Sequence, residues 1–132
     1  MLISKYDAKL DFGESGAFGA AGTVASGNVI QLENSQAARM RAEIKMSAAA
    51  VKSSSGTTDG ATFVVQGSND NSAWTTVESS PAIVTASLTE GAHFSVAIPP
   101  SFNYKYIRVA ALTTGTHTAG KFKAFLDVYQ GA

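Results

Sequence analysis

The sequence has no cysteine, so neither a disulfide framework nor a thiolate metal site can form, and thiol usage says nothing about the redox compartment. Charge is scarce as well. Asp, Glu, Lys and Arg make up 15% of the chain, against about 25% in an average domain. Ten acidic residues balance ten basic ones, so the electrostatic footprint of a nucleic-acid binder is missing. No apolar run approaches the ~20 residues that cross a bilayer, and Met1-Leu2-Ile3-Ser4-Lys5 turns polar before a signal-peptide core can build. Synthesis in a cytoplasm, with neither membrane nor nucleic acid as partner, is the expectation. Large side chains are few: 22 Ala, 15 Ser, 12 Thr and 12 Gly fill close to half of the 132 positions. A chain of this length makes one domain, and with so little bulk for its core it is expected to lean on partners for stability.

What is present is alternation. Arg39-Met40-Arg41-Ala42-Glu43-Ile44-Lys45-Met46-Ser47-Ala48 places apolar residues at even positions and polar ones at odd positions, which is a strand with one wet face. Further strands are expected at 28–32, 62–66, 73–77, 83–88, 93–98, 104–112 and 121–129. The breaks between them are the polar loop 53–60, the turn Gly67-Ser68-Asn69-Asp70-Asn71-Ser72, Pro81, Thr89-Glu90-Gly91, Pro99-Pro100 and the turn-rich stretch 113–120. About eight strands without a convincing helix predict an all-β fold, a single-domain antiparallel jelly roll or β-sandwich over 28–132. Residues 1–27, with glycines at 13, 16, 19, 22 and 27, read as an extended N-terminal arm. Alternating positions assign Trp74, Ile107, Val109, Phe122 and Leu126 to the core.

Constellations for chemistry are missing. Gly115-Thr116-His117-Thr118-Ala119-Gly120-Lys121 matches a phosphate-binding loop until its eighth position, where Phe122 replaces the hydroxyl that would ligate Mg²⁺ and a strand replaces the helix. A hairpin loop is the better reading. His93 and His117 have no carboxylate at ligand or triad spacing, and Asn69-Asp70-Asn71 reads as a turn rather than a Ca²⁺ loop. The basic positions Arg39, Arg41, Lys45, Lys121 and Lys123 are offset by Glu43 and Asp127, as on a solvated face. The expectation is a non-enzyme with no cofactor and no metal.

Two resemblances run through the same strands. Val65-Gln66-Gly67-Ser68-Asn69-Asp70-Asn71-Ser72-Ala73-Trp74-Thr75-Thr76, followed by Lys105-Tyr106-Ile107-Arg108-Val109, resembles the hairpin and later strand of discoidin-type carbohydrate- or lipid-binding domains. A second resemblance covers more of the chain. Asn28-Val29-Ile30-Gln31-Leu32, residues 61–129 and above all Thr118-Ala119-Gly120-Lys121-Phe122-Lys123-Ala124-Phe125-Leu126 are similar to capsid cement proteins of tailed phages, the Bordetella-phage type. That resemblance implies a jelly-roll decoration protein on the outer surface of an icosahedral head, bridging major capsid protein subunits against internal DNA pressure. Its partners would be the major capsid protein and itself, as a homodimer or homotrimer on a symmetry axis. Contacts are expected at residues 1–22, including Met1, Leu2, Ile3, Tyr6, Phe12 and Phe18, and at loop 53–60. Deleting the first twenty residues should then abolish decoration and spare the fold. Tyr104, Tyr106 and Arg108, at alternate positions of one strand, read either as an interface patch of aromatic and arginine anchors or as the second face of the sandwich.

Overall fold

The computed structural model describes residues 11–31, 40–52 and 59–127. Among them, ten strands form two antiparallel sheets. One sheet runs in the order β1 (Asp11–Glu14), β10 (His117–Asp127), β4 (Arg41–Lys52) and β8 (His93–Ala97). The other runs β2 (Gly22–Ala25), β9 (Tyr106–Thr114), β5 (Gly60–Ser68) and β6 (Thr75–Ser79), with β3 (Ile30–Gln31) also on β9 and β7 (Ile83–Val84) also on β5. The sheets face each other through aromatic rings. Phe63 of β5 stacks on Phe94 of β8 at 5.3 Å and meets Phe122 of β10 edge-on at 5.4 Å. The all-β antiparallel sandwich is the architecture that the alternation predicts.

The parity of each long strand decides which side is core. In β4, Ala42, Ile44 and Met46 are fully buried while Arg41 and Lys45 are exposed; in β10, Phe122, Ala124 and Leu126 are buried. Ile107, Val109 and Ala111 of β9 and Ala61, Phe63 and Val65 of β5 complete the inner layer.

Residues 11–27 are not the arm that their glycine content suggests but part of the sandwich. β1 pairs with β10 and β2 with β9, and the link between them keeps hydrogen-bonding to β10: Ser15 N to Phe122 O at 2.8 Å, Phe18 N to Gly120 O at 2.9 Å, His117 N to Gly19 O at 2.8 Å. Phe12 and Phe18 are buried in the core, so they are not available to a partner. Of the five N-terminal glycines, Gly13 and Gly27 stand at close approaches to Asn28 and to the Glu14 backbone, whereas Gly16, Gly19 and Gly22 face open space. Gly13, at φ 73°, makes the bulge that lets β1 follow β10, and its N–H is tied to Asp11 Oδ1 at 2.7 Å. Gly120, at φ 137°, leaves the space that the Phe18 ring occupies; a Cβ there would lie 2.7 Å from Phe18 Cδ2.

Smaller shifts have local causes. The strand expected at 83–88 ends at Val84, because Thr85 turns to donate both its N–H and its hydroxyl to Asp59 O, at 2.9 and 3.0 Å, and a 3₁₀ turn over Thr85–Ser87 follows. β9 starts at Tyr106 rather than 104, and β10 starts at His117, so the stretch 113–120 is mostly strand with its turn at Gly115 and Thr116. Met1, Leu2, Ile3, Tyr6, Arg39 and most of loop 53–60 lie outside the described residues.

Candidate functional site

On β9, Ile107 and Val109 point into the core, so Arg108 between them points out. Gln66 of β5 is its cross-strand partner. Arg108 Nε donates to Gln66 Oε1 at 2.7 Å, and Gln66 Nε2 donates in turn to Thr76 Oγ1 of β6 at 3.3 Å. The guanidinium carbon also lies 4.3 Å from the centre of the Trp74 ring, a cation–π contact. Partial burial lowers the Arg108 pKa from its ordinary value without removing its charge at neutral pH. Trp74 is therefore half-buried on the outer face and not in the core where alternation placed it. The reason is that it precedes β6, where the turn and not the strand sets its direction.

That turn is tightly held. Asp70 Oδ1 accepts from Ser72 N, Ala73 N and Ser68 Oγ, each at 2.9 Å, while Asn71 takes φ 58°. The Ala73 N–H, then the Ser72 N–H and the Ser68 hydroxyl, hold the Asp70 carboxyl below the usual carboxylate range. Asn69 Oδ1 accepts from Lys105 N at 3.3 Å and ties the turn to the start of β9. Turn, β6 and β9 thus present Trp74 and Arg108 as one unit.

Tyr106, opposite Ser68, is half-buried on the Arg108 side of β9. Tyr104 does not join them. It lies before the strand begins, and its ring packs edge-on against Phe102 at 5.3 Å, alongside the core and over Gly67. Of the residues proposed from sequence, only Tyr106 and Arg108 share an outward face; Trp74 and Gln66 were missed there. The parity of Gln66, opposite to Val65, was the available signal.

The outer face of the other sheet carries mixed charge. Lys45 stands opposite Lys123, Arg41 opposite Asp127, and Glu43 opposite Phe125 and Ser95. Two shallow cavities of about 290 and 360 Å³ share the two lysines; Glu90 lines the first, Asp11 and Glu14 the second. Strand pairing brings to His93 a carboxylate that sequence spacing does not show. His93 Nε2 lies 2.7 Å from Glu43 Oε2, because β8 pairs with β4 and closes a gap of fifty positions. Ser95 Oγ donates to the other Glu43 oxygen at 3.2 Å. His117, unlike the exposed His93, is not a surface residue. It is buried, with the Phe18 ring edge-on at 5.9 Å. Thr85 gives its one hydroxyl proton to Asp59 O, so His117 Nε2, 3.0 Å from Thr85 Oγ1, is the donor between them, and Nδ1 is buried with no partner among the described residues. The segment that mimics a phosphate loop is the turn and opening of β10.

These features define a small two-sheet β-sandwich whose outward faces differ, one mixed in charge and one bearing an arginine seated on a tryptophan. The chain belongs to the Bbp16 family, whose model matches residues 12–126. The family's name points to a Bordetella phage protein. The match begins at Phe12 and so takes in β1 as part of the domain. No curated protein matches the chain.

Proposed function

We propose that the protein is a structural virion protein, a capsid decoration or cement protein that binds the outer surface of an icosahedral phage head and bridges neighbouring major capsid protein subunits. Membership of the Bbp16 family over residues 12–126 is the observation that carries this reading. A rigid sandwich with little charge and one organised Arg and Trp patch fits a clamp that works by shape and surface contact rather than by chemistry. In this reading the partners are the major capsid protein and further copies of the chain on a symmetry axis, and Tyr106 and Arg108 belong to the contact surface. The carbohydrate-binding alternative is weakened by Arg108, whose guanidinium occupies one face of Trp74, a ring on which a sugar would stack.

The experiment is to mix purified protein with expanded empty heads that lack it and image the product. Saturable, icosahedrally ordered density, together with a higher disruption temperature of the heads, is expected. Absence of binding, combined with retention on a glycan array, would overturn the reading in favour of a carbohydrate-binding module.

A further inference from the structure

Arg108 has five N–H donors, and the Nε–H is taken by Gln66. Among the described residues no carboxylate pairs with it, and the end of the fork, Nη1 and Nη2, has no acceptor. The acidic groups of the neighbouring hairpin are turned to their own backbone: Asp70 holds the turn, and Glu78 Oε1 accepts from Ser79 N at 3.1 Å. Stacking on Trp74 and the Gln66 clamp fix the guanidinium plane before anything binds, so little rotamer freedom is left to lose. Arg108 is half-buried on this face, where Val64, Ala110 and Gln66 of the same parity are buried, so the outer edge of its fork, and not an open sheet, is what a partner's side chain would meet.

We propose that Arg108, floored by Trp74 and clamped by Gln66, is an anchor that receives the carboxylate of an Asp or Glu side chain on the protein surface to which this domain docks, through its Nη1 and Nη2 edge. The identity of the partner rests on the capsid reading above; the carboxylate chemistry does not. An end-on fork is complementary to a planar carboxylate and gives two parallel charge-assisted hydrogen bonds.

Trp74 is the only tryptophan, so its emission reports directly on the site. The full chain is titrated with hexaglutamate. A saturable emission change is expected, absent with hexaglutamine, and weakened about tenfold or more in R108K, which keeps the charge and loses the fork. Gln66→Met, which frees the guanidinium plane, should weaken it about threefold, and it serves if R108K does not fold. K121Q, on the other sheet, should leave it unchanged. An R108K response within twofold of wild type, or an equal response to inorganic phosphate or glucuronate, would overturn the proposal. Head binding separates it from the reading it rests on. If R108K decorates heads as well as wild type, the anchor is wrong and the cement role stands. If wild type ignores heads yet titrates with hexaglutamate, the carboxylate site stands and the cement role fails.

Discussion

Asp70 shows how a single side chain carries a local structure and makes it depend on pH. Its carboxylate is favoured by two backbone N–H groups and a hydroxyl, so its folded pKa lies below the ordinary value of about 4. A depressed carboxylate pKa contributes stability that is fully present at neutral pH and is lost as pH falls through the folded value. Asp70→Ala is therefore expected to lower the thermal midpoint at pH 7. The difference from wild type should narrow steadily below pH ~4. A gap that stays constant down to the acid limit would mean that the turn does not depend on the charge. Trp74 would also lose its seat, so its emission should shift in the same variant. Neither the clamp on Arg108 nor the contact of His93 with Glu43 could be read from local sequence, because each joins residues on different strands.

At the scale of elements, β1 and the link that follows it decide what the N-terminal region is for. Glycine content suggested an arm, but glycine is equally the residue that lets one strand bulge and pass close to another. Two phenylalanines separate these cases, since Phe12 and Phe18 find complete burial only against β10. Truncating a buried Phe costs about 3–5 kcal/mol, and a whole domain is stable by only about 5–15. Deleting the first twenty residues is therefore expected to unfold the protein rather than to produce a folded, non-decorating variant. Far-ultraviolet circular dichroism with a urea titration checks this. A cooperative transition with an unchanged midpoint would return residues 11–20 to the status of an arm.

For the whole molecule, the connections matter more than the strands. β1 closes on β10 and β2 on β9, so the two ends of the described chain meet in both sheets, and the core is complete only when these distant pairings form. Loop closure has to precede those contacts, which places refolding in the range of about milliseconds to seconds typical of β-sandwiches. Stopped-flow emission of Trp74 tests this, and a microsecond phase carrying the full amplitude would contradict it. The same topology sets the two outward faces apart. The sheet with β4 and β10 balances lysines against acids, whereas the sheet with β5 and β9 concentrates one organised cation.

Strand-level periodicity by itself determined the all-β class, the inward faces of β4 and β10, the burial of Ile107, Val109, Phe122 and Leu126, and the hairpin nature of the segment from Gly115 to Lys121. All of these follow from the two-residue repeat of the extended chain or from turn chemistry, which are local. Only the tertiary structure decided that Phe12 and Phe18 belong to the core, that His117 is buried against Thr85, that Glu43 meets His93, and that Arg108 sits on Trp74 beside Gln66. Each of those outcomes depends on which strand lies next to which. Alternation says on which side of a strand a residue stands, and it leaves open what stands beside it.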